Sequence, residues 1–262
     1  MIRFSLLFSL LFAVFASPLV VLALYSLSSS WSYPQIIPVQ LDWRSYAYLA
    51  GHFRDISASL LFSCGYSLAA VTLTLAMTIL PARLFARTDM AGKTLLEGLL
   101  LAPALVPPMA FAMGAHYIFL HLGLADTFAG VVLILSLYSY PYMLRALTAG
   151  FLAQDRNYTL CAQNMGASSF RILVAVELPL LLPAIVAGGI IVFLVSFSEY
   201  FLVFLIGGGI VPSYSGYIFP LLNSSDKSVA SLLTLLFLLP PIFFFVLIDR
   251  LIYRLYRQRG LL

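Results

Sequence analysis

The sequence contains few charged residues and few cysteines. Asp, Glu, Lys and Arg make up 9% of the 262 residues, whereas 62% are hydrophobic and the mean hydropathy is +1.03. Soluble domains are roughly 25% charged, so both a water-soluble fold and a disordered chain are excluded. The two cysteines, Cys64 and Cys161, lie in different predicted segments and give no information on the redox compartment. The composition predicts a polytopic membrane protein.

Long runs without any charged residue locate the predicted membrane helices. About 20 apolar residues are needed for a helix to cross the hydrocarbon core, and no run alternates polar and apolar residues as a membrane β-strand would. We therefore predict an all-α membrane protein that forms a single transmembrane domain, 1–262, and has no room for a soluble catalytic domain. Six transmembrane helices are expected at about 4–27, 56–81, 94–120, 127–150, 179–206 and 229–252.

Basic residues are distributed unequally between the two sides of the predicted membrane domain. If the first helix starts inside, eleven of the fourteen Lys and Arg residues lie in inner segments, and the outer ones are Arg44, Arg54 and Lys227. The positive-inside bias then places both termini in the cytoplasm. The apolar run after Arg3 continues to Leu27, which is too long for a signal-peptide core, so we expect an uncleaved first helix.

Motifs for catalysis, nucleotide binding and metal binding are missing. Gly92-Lys93-Thr94 resembles the end of a phosphate-binding loop, but Arg87 stands where that loop needs a glycine, and no strand precedes it. His116 and His121 are five residues apart, and no carboxylate or thiol ligands are evident nearby. We therefore predict that this chain is not an enzyme and holds no metal or cofactor of its own.

One carboxylate lies inside a predicted membrane helix. Glu199 belongs to the fifth predicted helix, and charges within membrane helices are costly and often functional. The carboxylate either lines a solute path together with Ser196, Ser198 and Tyr200, or it pairs with a neighbouring helix or extends outward to the membrane boundary. The sequence does not decide between these roles.

The longest polar inner segment, about 151–178, is predicted to form two short helices joined by a tight turn. The first helix covers about 157–165 and ends at Gly166, because glycine readily adopts the left-handed conformation. Ser168 or Ser169 can cap the second helix, which covers about 170–176. Pro179 fits the first turn of the next membrane helix, where a missing amide hydrogen costs little.

This segment resembles the Glu-Ala-Ala loop of the permease subunits of type I ABC importers. Here the order is Leu160-Cys161-Ala162, three residues, Gly166, nine residues, Val176, one residue and Leu178-Pro179. The spacing agrees throughout, whereas Leu160 and Cys161 replace the first Glu and Ala of the family pattern. Among these importers, the chain is most similar to the polyamine, ferric iron and thiamine permeases.

The resemblance implies a transmembrane subunit of an ATP-driven solute importer in a bacterial inner membrane. It implies as partners a second permease chain, a dimer of separate ATPase subunits that hold ATP and Mg, and a periplasmic solute-binding protein. The loop would dock to the ATPase, and its residues would be Leu160, Cys161, Ala162, Gly166, Ala167, Ser168, Phe170, Leu178 and Pro179. An ion-gradient-driven secondary transporter is the alternative, but such proteins usually contain internal repeats, and none is visible here.

Overall fold

The computed structural model describes the backbone of residues 2–28, 31, 34–38, 40–224 and 226–258, and the side chains of those between 10 and 250. These described residues form helices and connecting turns and contain no strand. In chain order the helices are α1 (Ile2–Ser26), α2 (Arg44–Gly51), α3 (Phe53–Arg87), α4 (Lys93–Leu101), α5 (Pro108–His121), α6 (Phe128–Ala153), α7 (Arg156–Asn164), α8 (Ser169–Ile172), α9 (Leu178–Ser198), α10 (Phe201–Gly207), α11 (Tyr214–Leu222) and α12 (Lys227–Gln258).

Among the described residues, four helical segments are long and apolar enough to cross a membrane, and a bent helix pair can provide a fifth crossing. The four are Phe53–Arg87, Phe128–Ala153, Ser169–Ser198 and Lys227–Arg250. The bent pair consists of Lys93–Leu105 and Pro108–His121, and the described apolar part of α1 is Leu10–Ser26. The all-helical membrane architecture agrees with the sequence prediction, whereas the count of six spans and the inward termini stay predictions.

The third predicted helix, 94–120, is interrupted by a sharp bend. A 3-10 turn, Ala102–Leu105, follows α4, and the pair formed by this segment and α5 is bent by 104°. Val106 and Pro107 have extended backbone angles. Proline disfavours the helical conformation of the residue before it and has no amide hydrogen to donate. The sequence Val106-Pro107-Pro108 therefore explains why the helix does not continue.

Two other predicted helices have different ends in the structure. The second was expected to stop at Pro81, but α3 continues through this proline to Arg87. The fifth was expected at 179–206, but it begins at Ser169 and ends at Ser198. Prolines are tolerated inside membrane helices when neighbouring groups satisfy the freed backbone atoms, so Pro81 is a poor marker of a helix end.

The chain divides into two compact units. The first unit comprises residues 1–61 and 213–244. The buried Ser45 hydroxyl in α2 donates a hydrogen bond to the Ser26 carbonyl at the end of α1. Arg44 Nη2 lies 2.9 Å from Asp226 Oδ2, and the Tyr214 hydroxyl donates to the backbone of α12 at 2.8 Å. Polar contacts at helix ends therefore hold this unit together.

The second unit comprises residues 62–212 and 245–262, and α6 is its most buried membrane helix. Close packing of α6 on α9 depends on small residues: a Cβ atom added to Gly150 would lie 2.5 Å from Cβ of Ala184. Fourteen residues earlier in α6, the Ser136 hydroxyl donates to the Ala70 carbonyl of α3 at 3.3 Å. Small and hydroxyl-bearing residues are typical of helix interfaces in membranes, where they allow backbones to approach closely.

Candidate functional site

The polar inner segment at about 151–178, called the coupling segment below because it is predicted to dock to the ATPase, contains a capped helix, α7. Asp155 caps its N-terminus by accepting a hydrogen bond from the Asn157 amide at 3.0 Å. At its C-terminus the Gly166 amide donates to Gln163 at 2.9 Å, and the next amide donates back to Ala162 at 3.0 Å. These two bonds form a Schellman motif, in which the residue after the C-cap adopts a left-handed conformation. Gly166 meets this requirement with a φ of +78°.

A continuous helix follows the turn. Ser168 caps its N-terminus by accepting from the Arg171 amide, as one of the two predicted serines was expected to do. The second short helix was expected to end at about 176. Instead, α8 continues through a π turn, Leu173–Glu177, into α9. A π turn is wider than an α turn. This width accommodates Pro179, which cannot donate a hydrogen bond to the preceding turn.

Large apolar side chains of this segment are exposed. Leu160 of α7 is 52% exposed, Met165 is 86% exposed, and Phe170 of α8 is 76% exposed. None of the residues of α7 is buried. Exposed apolar side chains held on a rigid turn are typical of a protein-interaction site.

The other residues predicted from the loop pattern lie within the same segment. Cys161 and Ser168 are exposed, whereas Ala162, Ala167, Leu178 and Pro179 are partly buried. Leu178 and Pro179 form the first turn of α9, next to the π turn. The structure therefore brings the predicted set together along one stretch of chain, and its role stays a prediction.

A buried carboxylate joins this segment to α3. Glu177 is 1% exposed, and its Oε2 lies 2.7 Å from Arg83 Nε. Arg83 Nη2 also donates to Glu177 Oε1 at 3.2 Å, and the Thr159 hydroxyl of α7 donates to the same oxygen at 3.4 Å. Gln154, which follows α6, donates to the Glu177 backbone carbonyl at 3.2 Å. The π turn, α3, α7 and the end of α6 therefore meet at this one residue.

Sequence reasoning missed this contact point. Neither Glu177 nor Arg83 is among the site residues predicted from the sequence. One signal was available, because Glu177 is the only charged residue in the apolar stretch 172–182. Arg83 is distant in sequence, and no pattern in the chain indicates that it pairs with Glu177.

The residues of the predicted solute path lie where α9 ends. Ser196 is fully buried, and its hydroxyl has no hydrogen-bond partner among the described side chains and backbone. Ser198 is exposed and donates to the Val195 carbonyl at 3.2 Å. The Tyr200 ring is partly buried and packs against Phe204, with ring centroids 5.6 Å apart.

Glu199 explains why the helix breaks at this point. Its backbone is extended, with φ of −69° and ψ of 115°. Its carboxylate accepts a hydrogen bond from the Leu202 amide and interacts electrostatically with Tyr138 of α6. A side-chain acceptor bonded to the third amide ahead is the arrangement of an N-terminal cap, so Glu199 ends α9 and begins α10.

The remaining candidates from the sequence form no recognisable site. Gly92 has a φ of +79° and caps α4, and Lys93 Nζ lies 3.8 Å from Asp89. Across the described residues, no group of three or more His, Cys, Asp or Glu side chains is arranged to hold a metal ion.

Known structures and relatives resemble this chain. A bacterial ABC transporter involved in the import of the acidic polysaccharide alginate matches its fold with a TM-score of 0.72, 16% identity and 95% coverage of both chains. The molybdenum transport system permease ModB of Haemophilus influenzae is 30% identical over 151 residues, which are 53% of this chain and 66% of that protein. The molybdate/tungstate permease WtpB of Thermococcus kodakarensis is 29% identical over 114 residues, which are 44% of this chain and 46% of that protein.

These alignments span between about half and two thirds of the curated relatives' own length. The names of these relatives refer to molybdenum, molybdate and tungstate. The resemblance noted in the sequence analysis was instead to the polyamine, ferric iron and thiamine permeases. A family model described as binding-protein-dependent transport system inner membrane component matches residues 79–258. Because this match covers more than half of the chain, the protein belongs to the family of binding-protein-dependent transport system inner membrane components.

Proposed function

We propose that this chain is the transmembrane permease subunit of an ATP-driven importer. In this proposal a second permease chain, identical or related, forms the solute path together with it. A periplasmic binding protein delivers the solute, and two separate ATPase subunits hold ATP and Mg. The family is one of transporter permeases, not of enzymes.

The observation that carries the proposal is the combination of rigidity and exposed apolar surface in the segment from Asp155 to Pro179. Both ends of α7 are capped, and Glu177 fixes the segment to α3. Its exposed side chains, such as Leu160 and Phe170, have no cover within the described chain. An ATPase surface that packs on these side chains can transmit its movement through Glu177 to α3 and α9.

The missing acidic residue in the loop pattern changes how the ATPase would be recognised. Leu160 stands at the position of the family's Glu, and it is half-exposed. A leucine contributes apolar contact area rather than an ion pair. We therefore propose that the ATPase subunit presents an apolar pocket, rather than a basic residue, to this position.

The membrane arrangement in this proposal has six spans and two cytoplasmic termini. Four long helices and the bent pair account for five crossings. The helix α1 supplies the sixth, since it has 25 residues and its side chains from Leu10 to Ser26 form an apolar segment. The unequal distribution of Lys and Arg supports the inward termini.

The names of the relatives suggest a solute class. ModB is a molybdenum permease and WtpB is a molybdate/tungstate permease. We propose a small tetrahedral oxyanion of this kind as the solute. The test is uptake of radiolabelled molybdate and tungstate by the purified complex in vesicles, with sulfate and a polyamine as comparison solutes.

Co-purification tests the importer proposal itself. The tagged chain, extracted from its native membrane in mild detergent, is expected to retain an ATPase subunit at equal stoichiometry. A variant with Leu160→Asp and Phe170→Asp, which removes the exposed apolar side chains, is expected to lose it. Recovery of the chain without any ATPase would support a secondary transporter, and Glu199 would then be the first candidate for ion coupling.

A further inference from the structure

A cavity of about 460 Å³ lies between the C-terminal part of α3 and α7. Three guanidinium groups line it, those of Arg83, Arg87 and Arg156, together with the single carboxylate of Glu177. Glu177 is paired with Arg83. The lining therefore carries two positive charges, on Arg87 and Arg156, that no lining carboxylate neutralises.

The hydrogen-bonding capacity of Arg87 is only partly used. Arg156 Nη2 donates to the backbone carbonyl of Arg87 at 2.6 Å, and this bond holds the Arg156 side chain at the cavity. The Nε and Nη2 atoms of Arg87 are shielded from solvent, and no described residue accepts a hydrogen bond from them. Buried charged donors without an acceptor are costly. An anion with several oxygen acceptors would satisfy them, because guanidinium groups match phosphate geometry.

Apolar side chains line the same cavity as the charged groups of Arg87 and Arg156. Leu80 and Leu84 line the same cavity, are one helical turn apart, and are 61% and 44% exposed. Arg83 and Arg87 each follow one of these leucines by three residues, so leucines and arginines lie on neighbouring faces of the end of α3. Basic pockets between membrane helices that adjoin apolar surface are typical of sites for anionic lipid headgroups.

We infer that this cavity binds a phosphate group, presented either by the headgroup of an anionic phospholipid or by phosphate free in solution. Arg87 and Arg156 bind the phosphate oxygens, while Arg83 stays paired with Glu177. For a phospholipid, Leu80 and Leu84 contact the adjoining acyl chains. This inference does not depend on the proposed importer function, because binding is measured on the chain itself.

The test compares lipid binding by the full-length chain in nanodiscs of phosphatidylcholine alone and with added phosphatidylglycerol or cardiolipin. A second arm titrates inorganic phosphate into the phosphatidylcholine sample. Bound lipid is counted by native mass spectrometry, and thermal unfolding is followed in each sample, because a ligand that binds the folded state raises Tm. The Arg87→Gln, Arg156→Gln double variant is compared with Arg145→Gln, Arg171→Gln, which removes the same charge from exposed arginines outside the cavity.

We expect the unmodified chain to retain an anionic phospholipid and to gain thermal stability from it. The cavity variant should bind it about tenfold more weakly or worse, which is the usual effect of removing charge-assisted hydrogen bonds, and the control variant should bind it unchanged. Stabilisation by inorganic phosphate alone would identify free phosphate as the source. Absence of stabilisation by either probe in the unmodified chain, or equal loss in both double variants, would overturn the inference.

Discussion

Gly166 shows how strongly one backbone conformation restricts residue choice. Its φ of +78° is the left-handed region, and no atom lies within 4 Å of where a Cβ would be placed. A substitution there would therefore cost backbone strain without any steric clash. β-Branched residues tolerate this region poorly, whereas asparagine tolerates it well.

We predict that Gly166→Val abolishes transport but leaves expression and pairing with a second permease intact, because it disrupts the turn between α7 and α8. Gly166→Asn is the matched control and should keep most of the transport. The measurement is solute-stimulated ATP hydrolysis and uptake by the purified complex in vesicles. Full transport by the valine variant would count against a coupling role for this turn.

Glu177 attaches the coupling segment to α3 through its ion pair with Arg83. Removing one partner of a buried ion pair costs on the order of 3 kcal/mol, because the other charge is left unpaired. We predict that Glu177→Gln lowers Tm and increases tryptic cleavage at Arg156 and Arg171. Glu97→Gln, the same change in α4, serves as the control. Equal cleavage of both variants would show that Glu177 does not hold α7.

Glu199 lies at the break between α9 and α10, and it is also predicted to line the solute path. Substitution separates these two roles. We predict that Glu199→Gln changes uptake rate or solute preference while the α9–α10 break persists, because glutamine can still accept the hydrogen bond from the Leu202 amide. Glu97→Gln, the same change in α4 and outside the predicted solute path, is the control. Unchanged uptake kinetics in Glu199→Gln would assign Glu199 to capping alone.

At the scale of elements, α6 packs closely against α9. A Cβ atom on Gly150 would lie 2.5 Å from Cβ of Ala184, so one helix must shift. Overpacking of this kind typically costs about 1–3 kcal/mol. We predict that Gly150→Ala lowers Tm, whereas Gly65→Ala, with no atom within 4 Å of its added Cβ, does not. Similar Tm values for the two variants would indicate that the helices separate easily.

The sequence predicted which segments are helical better than it predicted how they end. Charge-free runs predicted helices that overlap α3, α6 and α12, since lipid exposure demands long apolar stretches. A helix end was predicted at Pro81, but the helix continues there. A continuous helix was predicted through Pro107, but the helix bends there. A proline's effect depends on which neighbours satisfy the freed backbone groups, and this is tertiary information.

The candidate site shows the same division between local and distant information. The cap at Ser168 and the turn at Gly166 depend on neighbours in sequence, and both were predicted. The π turn and the Arg83–Glu177 pair depend on packing between α3 and the coupling segment. Neither could be predicted, because no pattern links residues 94 positions apart.

At the scale of the whole molecule, native cysteines allow the orientation to be measured. Cys161 is exposed on α7, whereas Cys64 is partly buried in α3. We predict that a membrane-impermeant maleimide labels Cys161 in inside-out vesicles and fails to label it in right-side-out vesicles. Cys64→Ser provides a chain with Cys161 alone, and Cys161→Ser is the matched control. Labelling of Cys161 from the periplasmic side would reverse the proposed orientation.

The bend between α4 and α5 also has a mechanical consequence. If the chain were pulled out of the bilayer from one end, a continuous helix such as α6 would transmit the load along its own axis. At the bend the direction of the chain changes by 104°, so a force along α4 has little component along α5. The two halves would then yield one after the other under tension, and this part of the protein would be extracted in two steps.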